Sequence, residues 1–286
     1  MTISLNKHNK FVTLQMTPFA ASIVKSCVAL ALLQLITACE ARAPVVSEKA
    51  QQAEALFRQH CSTAGEKIKR RVKDVEGVFL LKGRPEGINY SDQFQMDDPY
   101  GRDHGGDAYI RSLLKAKQEL KRRYAALRND TEPLPPDALV GFDYVEMADP
   151  NGMERTRFTA YVEQPGKTDT NYSMDHFRIA LQKSPAAGAM PRYAVTYDDI
   201  STREDRMAWI AGSSLKVIDL HTNEVIGERI GYMLDRGQGS TTGGRSPWLL
   251  AASTACPAFP GQHAEQANQT ARFVEKILSP VRRVEK

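Results

Sequence analysis

Hydrophobic residues near both ends of the chain recur at spacings of three and four, the period of an amphipathic helix. The first stripe consists of Ala53, Leu56, Phe57, His60, Cys61 and Ala64. It predicts a helix over 48–64, with Ser47 as its N-cap and Gly65 at its C-terminal end. A second stripe predicts a terminal helix over 264–278, which ends just before Pro280.

A third helical stripe runs from Tyr109 to Leu127, and the polar face beside it is basic. Asp107 is the predicted N-cap of this helix. Arg111, Lys115 and Arg122 are candidates for contact with anionic lipid headgroups or with an acidic partner protein. The alternative is a solvated helix face, which is the more common role of such charge runs.

From Gly141 onward the hydrophobic period changes to two, which predicts β-strands. Strands at 142–146 and 155–162 flank the turn sequence at 149–152 and form a predicted hairpin. Further strands are predicted at 67–72, 78–82, 175–182, 192–198, 213–219 and 224–234. Because the connections are short, we expect an α+β fold, with an antiparallel β-meander sheet of five to seven strands packed with N- and C-terminal helices.

An uncharged apolar run at 27–38 follows Lys25 and ends in small residues, the layout of an export signal. This run is shorter than the roughly 20 residues needed to span a bilayer. The sequence Ile36–Thr37–Ala38–Cys39 resembles the lipobox of bacterial lipoproteins, which implies cleavage before Cys39 and lipidation of its thiol. Met16 is an alternative start that gives the signal a conventional length.

The expected organisation is a signal peptide over 1–38, a tether over 39–47 and a single domain over 48–286. A sub-boundary is predicted at 129–140, where prolines cluster. Glu40 stands where an aspartate favours retention at the inner membrane in many lipoproteins, so the outer membrane is the expected location. The lipid makes the membrane the first expected partner.

Charge argues against a nucleic-acid partner. The whole chain has a formal net charge of +4, but 1–38 holds three lysines and no acidic residue. The remainder therefore balances 35 basic residues against 34 acidic ones. A chain this close to neutral lacks the basic excess that phosphate backbones require.

Four cysteines remain to be assigned, and the predicted export of the chain indicates the role of each. Cys27 lies in the predicted signal and Cys39 is the predicted lipid site, which leaves Cys61 and Cys256. An oxidising compartment and an even count favour a Cys61–Cys256 disulfide. The alternative, a Cys61 nucleophile assisted by His60, is disfavoured because adjacent helical residues point in different directions.

An acidic loop before the basic helix holds the candidate metal ligands. They are Asp97, Asp98, Asp103, His104 and Asp107. Their spacing matches neither a calcium loop nor a zinc site. We therefore favour a turn-forming loop whose acids offset the basic helix beside it, and no cofactor is predicted.

Other chemical patterns are weaker. Ser213 and Lys216 match the Ser-x-x-Lys pattern of penicillin-recognising enzymes, but they lie in a predicted strand where that family has a helix. The glycine-rich stretch 237–244 fits neither the dinucleotide-binding nor the P-loop pattern. The acidic pairs 198–199 and 204–205 are acid/base candidates whose geometry the spacing does not define.

The body is similar to a group of uncharacterised lipoproteins of Gram-negative bacteria. The similarity rests on His60–Lys67, Asp98–Gly101, Ile200–Glu204, Trp209–Ser214, Ser246–Leu249 and Ala255–Pro257. It would cover most of 50–280, and it implies location and unity of fold without an activity, cofactor or active site. We expect a non-enzymatic binding module that acts on an envelope protein, as an assembly factor or as an immunity or inhibitor protein. The alternative is a cell-envelope hydrolase.

Overall fold

The computed structural model describes residues 47–87, 94, 103–130, 138–149, 151–259 and 266–282. The predicted signal peptide, Cys39 and nearly all of the predicted tether lie outside these residues, as do Asp97, Asp98 and the proline cluster. Contacts divide the chain into Met1–Val46 and Ser47–Lys286, and the described elements belong to the second unit. No helix among the described residues is long and apolar enough to cross a membrane.

Six α-helices and eleven strands occur in the part of the chain that the structure describes. The helices are α1 (Glu48–Cys61), α2 (Gly106–Ser112), α3 (Ala116–Leu127), α4 (Arg203–Met207), α5 (Pro247–Ala251) and α6 (Gln269–Ile277). The first six strands are β1 (Gly65–Ile68), β2 (Val72–Val75), β3 (Gly77–Leu80), β4 (Tyr144–Ala148), β5 (Arg155–Glu163) and β6 (Arg178–Pro185). The last five are β7 (Tyr193–Asp199), β8 (Ile210–Asp219), β9 (Glu224–Leu234), β10 (Ala255–Cys256) and β11 (Leu278–Pro280).

One large sheet organises the fold. Its nine strands follow the order β1–β9–β8–β7–β3–β4–β5–β6, with β10 added to β9. Strand β3 is parallel to both of its neighbours, β4 and β7, whereas every other pair is antiparallel. Strands β2 and β11 form a separate parallel pair.

The predicted fold class, an α+β antiparallel meander of five to seven strands, is therefore wrong. The molecule has a mixed nine-stranded sheet. In it, β3 lies between two antiparallel wings, β4–β5–β6 on one side and β7–β8–β9 on the other. All four residues of β3 are buried, as expected for a parallel strand that is covered on both faces. The chain returns from β3 to β4 through α2 and α3, the kind of helical crossover that parallel neighbours need.

The basic segment after the acidic loop also differs from its prediction. It forms two helices, not one, and Gly105 is the N-cap of α2 in place of Asp107. The interruption lies where Leu114 makes a parallel bridge with Phe142. There the Phe142 amide donates to the Leu113 carbonyl at 2.8 Å. The backbones meet this closely because residue 141 is a glycine at φ +81°, whose added Cβ would lie 2.4 Å from the carbonyl carbon of Leu114.

Most local predictions are confirmed. Helix α1 begins after Ser47, whose hydroxyl accepts a hydrogen bond from the Ala50 amide at 3.2 Å. Strands β4 and β5 form the predicted hairpin, and β6 to β9 lie within three residues of their predicted starts. Helix α6 packs on the sheet at Gly227, where a Cβ would lie 2.2 Å from Ile277 Cδ1, so a side chain there would push the helix away.

Candidate functional site

Among the described residues, a cleft of about 1020 Å³ is a candidate for a binding site. Helix α6, strands β1 and β9, the strand end at 279–282 and the segments 138–140 and 257–259 surround it. Its size matches the upper end of the range for small-molecule pockets. Both charged groups and aromatic rings line it, so it offers polar and apolar contacts together.

Arg229 projects into the cleft from β9 and is only 7% exposed. Its side chain lies on the same face of the sheet as that of Glu66, because the two residues are directly opposite in the β1–β9 register. Nη1 of Arg229 donates to Oε1 of Gln269 at 3.4 Å. The guanidinium also lies 5.1 Å from the centre of the Phe259 ring, a cation–π distance.

The two acidic residues of the cleft are already engaged. Lys276 Nζ lies 2.8 Å from both carboxylate oxygens of Glu66. The carboxylate of Glu275 accepts hydrogen bonds from the backbone amides of Val140, at 3.0 Å, and Gly141, at 2.8 Å. Burial raises the pKa of Glu275, while those two amides, Arg272 and Arg282 act in the opposite direction. Both acidic side chains of the cleft therefore already have partners within the protein.

The predicted disulfide between Cys61 and Cys256 is present. The two Cα atoms lie 5.5 Å apart and 195 residues separate them in sequence. The bond joins the last residue of α1 to β10, next to Pro257 on the wall of the cleft. It also removes Cys61 as a nucleophile.

His60 has a partner that its sequence position did not indicate. Its Nε2 atom lies 2.6 Å from Oδ1 of Asp205, which is buried and belongs to the N-terminal turn of α4. The other carboxylate oxygen of Asp205 accepts hydrogen bonds from the amide and the hydroxyl of Thr202, each at 2.8 Å. The imidazole stacks on Tyr232 with ring centroids 4.4 Å apart. Asp205 is thus a capping residue as well as a histidine partner.

Three of the acidic-loop candidates, Asp103, His104 and Asp107, lie within the described residues, and each has its own contacts. Asp103 is buried and accepts hydrogen bonds from the amides of His104, at 2.9 Å, and Thr270, at 3.2 Å. Arg84 Nε lies 3.4 Å from the same carboxylate. Burial raises the pKa of Asp103, and Arg84 is the main influence in the other direction. Asp107 is exposed and lies 3.5 Å from Lys183.

No group of three or more His, Cys, Asp or Glu side chains suited to a metal ion occurs within the described residues. Asp97 and Asp98 lie outside them. His104 is half-buried, and burial together with the nearby Lys117 ammonium lowers its pKa. The positive charge of Lys117 close to this imidazole makes the surroundings of His104 unfavourable for a cation.

The three basic candidates are distributed over α2, α3 and the break between them. Arg111 is half-buried in α2, Lys115 precedes α3 and Arg122 is exposed on α3. Lys115 is already paired with Asp143 at 2.7 Å. None of these three residues lines the cleft.

The glycine-rich stretch 237–244 is organised by an acid from the chain itself. The buried carboxylate of Asp235 accepts hydrogen bonds from the amides of Gly237, at 3.1 Å, and Gly239, at 2.7 Å. Arg245 contacts both oxygens of the same carboxylate. The amides of Gly237 and Gly239 are therefore already bound to Asp235.

Ser213 and Lys216 lie in β8, the strand expected for them, and Lys216 pairs with Asp198 at 2.9 Å. The hydroxyl–amine contact of penicillin-recognising enzymes thus has no counterpart in this strand. No protein family model, curated protein or solved structure matches this chain.

The sequence predictions missed the cleft arginines entirely. Arg229 and Arg272 lie in a strand and a helix that both looked structural, and no motif surrounds either residue. The one available signal was a charged residue inside the apolar run of β9, at a position that alternation assigns to the covered face.

Proposed function

We propose that this protein is a lipid-anchored component of the bacterial cell envelope that binds its ligand or partner without catalysing a reaction. The pattern Ile36–Thr37–Ala38–Cys39 supports the anchor, and the disulfide agrees with an exported, oxidising location. The observation that carries the binding role is the arginine-lined cleft of about 1020 Å³.

The chemistry around the cleft favours binding over turnover. Its acids are held by Lys276 and by backbone amides, so neither is placed as a general base. The described His–Asp pair, His60 and Asp205, has the geometry of a base with its orienting acid. Among the described residues, no Ser, Thr or Cys side chain donates to the His60 ring, and Cys61 is in a disulfide.

Metabolic labelling with an alkyne analogue of palmitate tests the anchor. We expect label on the wild-type protein, loss of label in Cys39→Ala, and a mature N-terminus at residue 39 by mass spectrometry. Cys27→Ala is the matched control and should keep the label. Cellular protein that retains peptides from 1–38, or labelling that survives Cys39→Ala, would overturn this part of the proposal.

Zymography on cell-wall substrate tests the absence of catalysis. We expect no lytic band from the wild-type protein or from His60→Gln. Lysis by the wild-type protein that disappears in His60→Gln, with the fold intact by circular dichroism, would assign the molecule to the hydrolases instead.

A further inference from the structure

Strand β6 is the last strand at one end of the nine-stranded sheet, so one of its two backbone edges faces away from the sheet. Along the other edge its eight residues pair with β5, from Arg178 opposite Glu163 to Pro185 opposite Thr156. Residues 182–185 are exposed, so this half of the strand is open to solvent. An open edge of this length is a template for a further strand.

The pairing with β5 decides which backbone groups of β6 point outward. The amide of Ala186 donates to the carbonyl of Arg155 at 2.8 Å, which defines a hydrogen-bonded pair just beyond the end of β6. Because hydrogen-bonded and non-hydrogen-bonded pairs alternate in an antiparallel ladder, the odd-numbered residues of β6 direct their backbone groups away from β5. Ile179, Leu181 and Lys183 therefore each offer an outward amide and an outward carbonyl. Across the described ranges, no hydrogen bond reaches these outward backbone groups.

Pro185 occupies the next outward position, at the end of β6. Proline has no amide to donate, so a sheet tolerates it where its nitrogen faces away from the paired strand. The row of outward donors therefore ends at Lys183. The open edge then carries alternating donors and acceptors that are complementary to the same edge approached in the antiparallel direction.

We propose that β6 pairs antiparallel with β6 of a second copy of this chain, about a two-fold axis beside Leu181, so that two nine-stranded sheets become one. In this register Leu181 lies opposite Leu181 of the partner subunit, and Ile179 lies opposite Lys183 of the partner subunit. Each copy donates the amides of Ile179, Leu181 and Lys183 to carbonyls of the other. The interface goes beyond the proposed function, and it depends on neither the lipid anchor nor the cleft.

Charge selects this register. A pairing centred on residue 183 places the two Lys183 ammonium groups directly opposite each other, and one centred on 182 places them on a diagonal, both of which are unfavourable. A centre at 180 or 179 leaves Lys183 without a residue of β6 opposite it. Centred on 181, the two lysines lie four residues apart, about 13 Å along the strands.

The cations of β6 are also balanced within their own copy. Lys183 Nζ lies 3.5 Å from Oδ1 of Asp107, and Arg178 pairs with Glu163. Leu181 packs against the main hydrophobic core and is partly buried, so its counterpart across the axis would cover the remaining exposed part. Because pairing at a strand edge buries less surface than a standard interface, we expect a dissociation constant in the micromolar range.

Two measurements on the full-length chain in a density-matched non-ionic detergent test the interface. Sedimentation velocity over a range of chain concentrations should show the mass rising from monomer to dimer. Hydrogen exchange resolved to single amides should slow about fivefold or more at Ile179, Leu181 and Lys183 as the dimer forms. The amides of Ala180 and Gln182 point toward β5, so they should be protected equally at all concentrations.

Two variants with matched controls locate the contact. Lys183→Pro removes one outward amide from each copy and should weaken the dimer about tenfold or more, whereas Lys183→Ala loses the same charge but keeps the amide and should still dimerise. Leu181→Lys places two ammonium groups opposite each other at the axis and should also weaken the dimer about tenfold or more. Tyr161→Lys adds the same charge at an exposed position of β5, away from the edge, and should leave the dimer unchanged.

A wild-type chain that stays monomeric at every concentration would overturn the inference, and Lys183 and Pro185 would then only guard the edge against pairing. A dimer in which the three outward amides still exchange freely would overturn it too, because the contact would lie elsewhere. Full dimerisation of Leu181→Lys would have the same meaning. Circular dichroism and melting temperature check the fold of each variant, and if Lys183→Pro does not fold, Leu181→Lys and the wild-type exchange pattern decide.

Discussion

Nε2 of His60 lies 2.6 Å from Oδ1 of Asp205, although 145 residues separate the two in sequence. This contact ties the last turn of α1 to α4, and Tyr232 on β9 stacks on the same imidazole. The next residue, Cys61, is bonded to Cys256. The end of α1 is therefore attached at two adjacent positions, by a polar contact to α4 and by a covalent bond to β10.

Replacing Asp205 by alanine should lower the free energy of unfolding by about 2–4 kcal/mol, because it removes the His60 contact and the helix cap together. His60→Ala should cost less, about 1–2 kcal/mol. Urea unfolding of both single variants and the double variant measures their coupling, which we expect to be about 0.5–3 kcal/mol. Strictly additive effects would show that the contact does not stabilise the protein.

Removing the disulfide should destabilise the fold more than any single hydrogen bond does. A crosslink across 195 residues restricts the unfolded chain by about 5 kcal/mol in the chain-entropy model, and measured losses are typically 2–5 kcal/mol. Denaturant unfolding of Cys61→Ser/Cys256→Ser measures this loss. Reductant should lower the stability of the wild-type protein and leave the double variant unchanged. An equal response of both proteins would contradict the prediction.

The stability of the loop 237–244 should depend on the buried carboxylate of Asp235. Asp235→Ala leaves the Arg245 guanidinium without its anion and two glycine amides without an acceptor, so we expect a loss of about 3–5 kcal/mol. Hydrogen exchange should accelerate at Gly237 and Gly239 before it does elsewhere. Ser240→Ala, in the same loop, is the control and should have a small effect. Unchanged exchange in Asp235→Ala would contradict this account.

Asp219 should make the protein sensitive to acid. Hydrogen bonds from Arg192 and Arg70 lower its pKa well below the ordinary value of 3.8. Because the folded pKa lies below the unfolded one, the unfolded state binds more protons in between. The stabilisation is complete above about pH 5 and is lost as the pH falls toward the folded value.

Asp219→Asn should therefore be less stable than the wild-type protein at neutral pH and should lose less further stability on acidification. Melting temperatures measured from about pH 7 to about pH 2 compare the two slopes. Asp198→Asn, whose carboxylate is exposed, serves as the control and should follow the wild-type curve. Parallel curves for Asp219→Asn and the wild-type protein would refute this assignment.

The local elements were predictable because their causes lie within a few residues. Ser47 begins α1 because its own hydroxyl accepts from Ala50. The turn sequence at 149–152 favours the pairing of β4 with β5 through its own residue types. The cysteine pair followed from counting and compartment. None of these predictions needed knowledge of which strands are neighbours.

The order of the strands was not predictable in the same way. Short connections favoured a meander, and the two wings β4–β5–β6 and β7–β8–β9 are meanders indeed. Strand β3 breaks the pattern by pairing in parallel with the first strand of each wing. Its sequence, Gly-Val-Phe-Leu, is apolar without alternation, which fits a strand covered on both faces and equally a buried helical turn.

The sequence by itself determined the Ser47 cap of α1, the hairpin and the choice of Cys61 and Cys256 as partners. The lipid site at Cys39 stays a prediction from the sequence. Spacing, turn chemistry and residue type act over short distances, so their effects can be predicted from the sequence alone. Only the tertiary structure decided that Asp205 meets His60 and that Arg229, Arg272 and Arg282 line one cleft. Such convergence depends on long-range strand pairing and helix packing, which the free energy of the whole fold selects and no local pattern encodes.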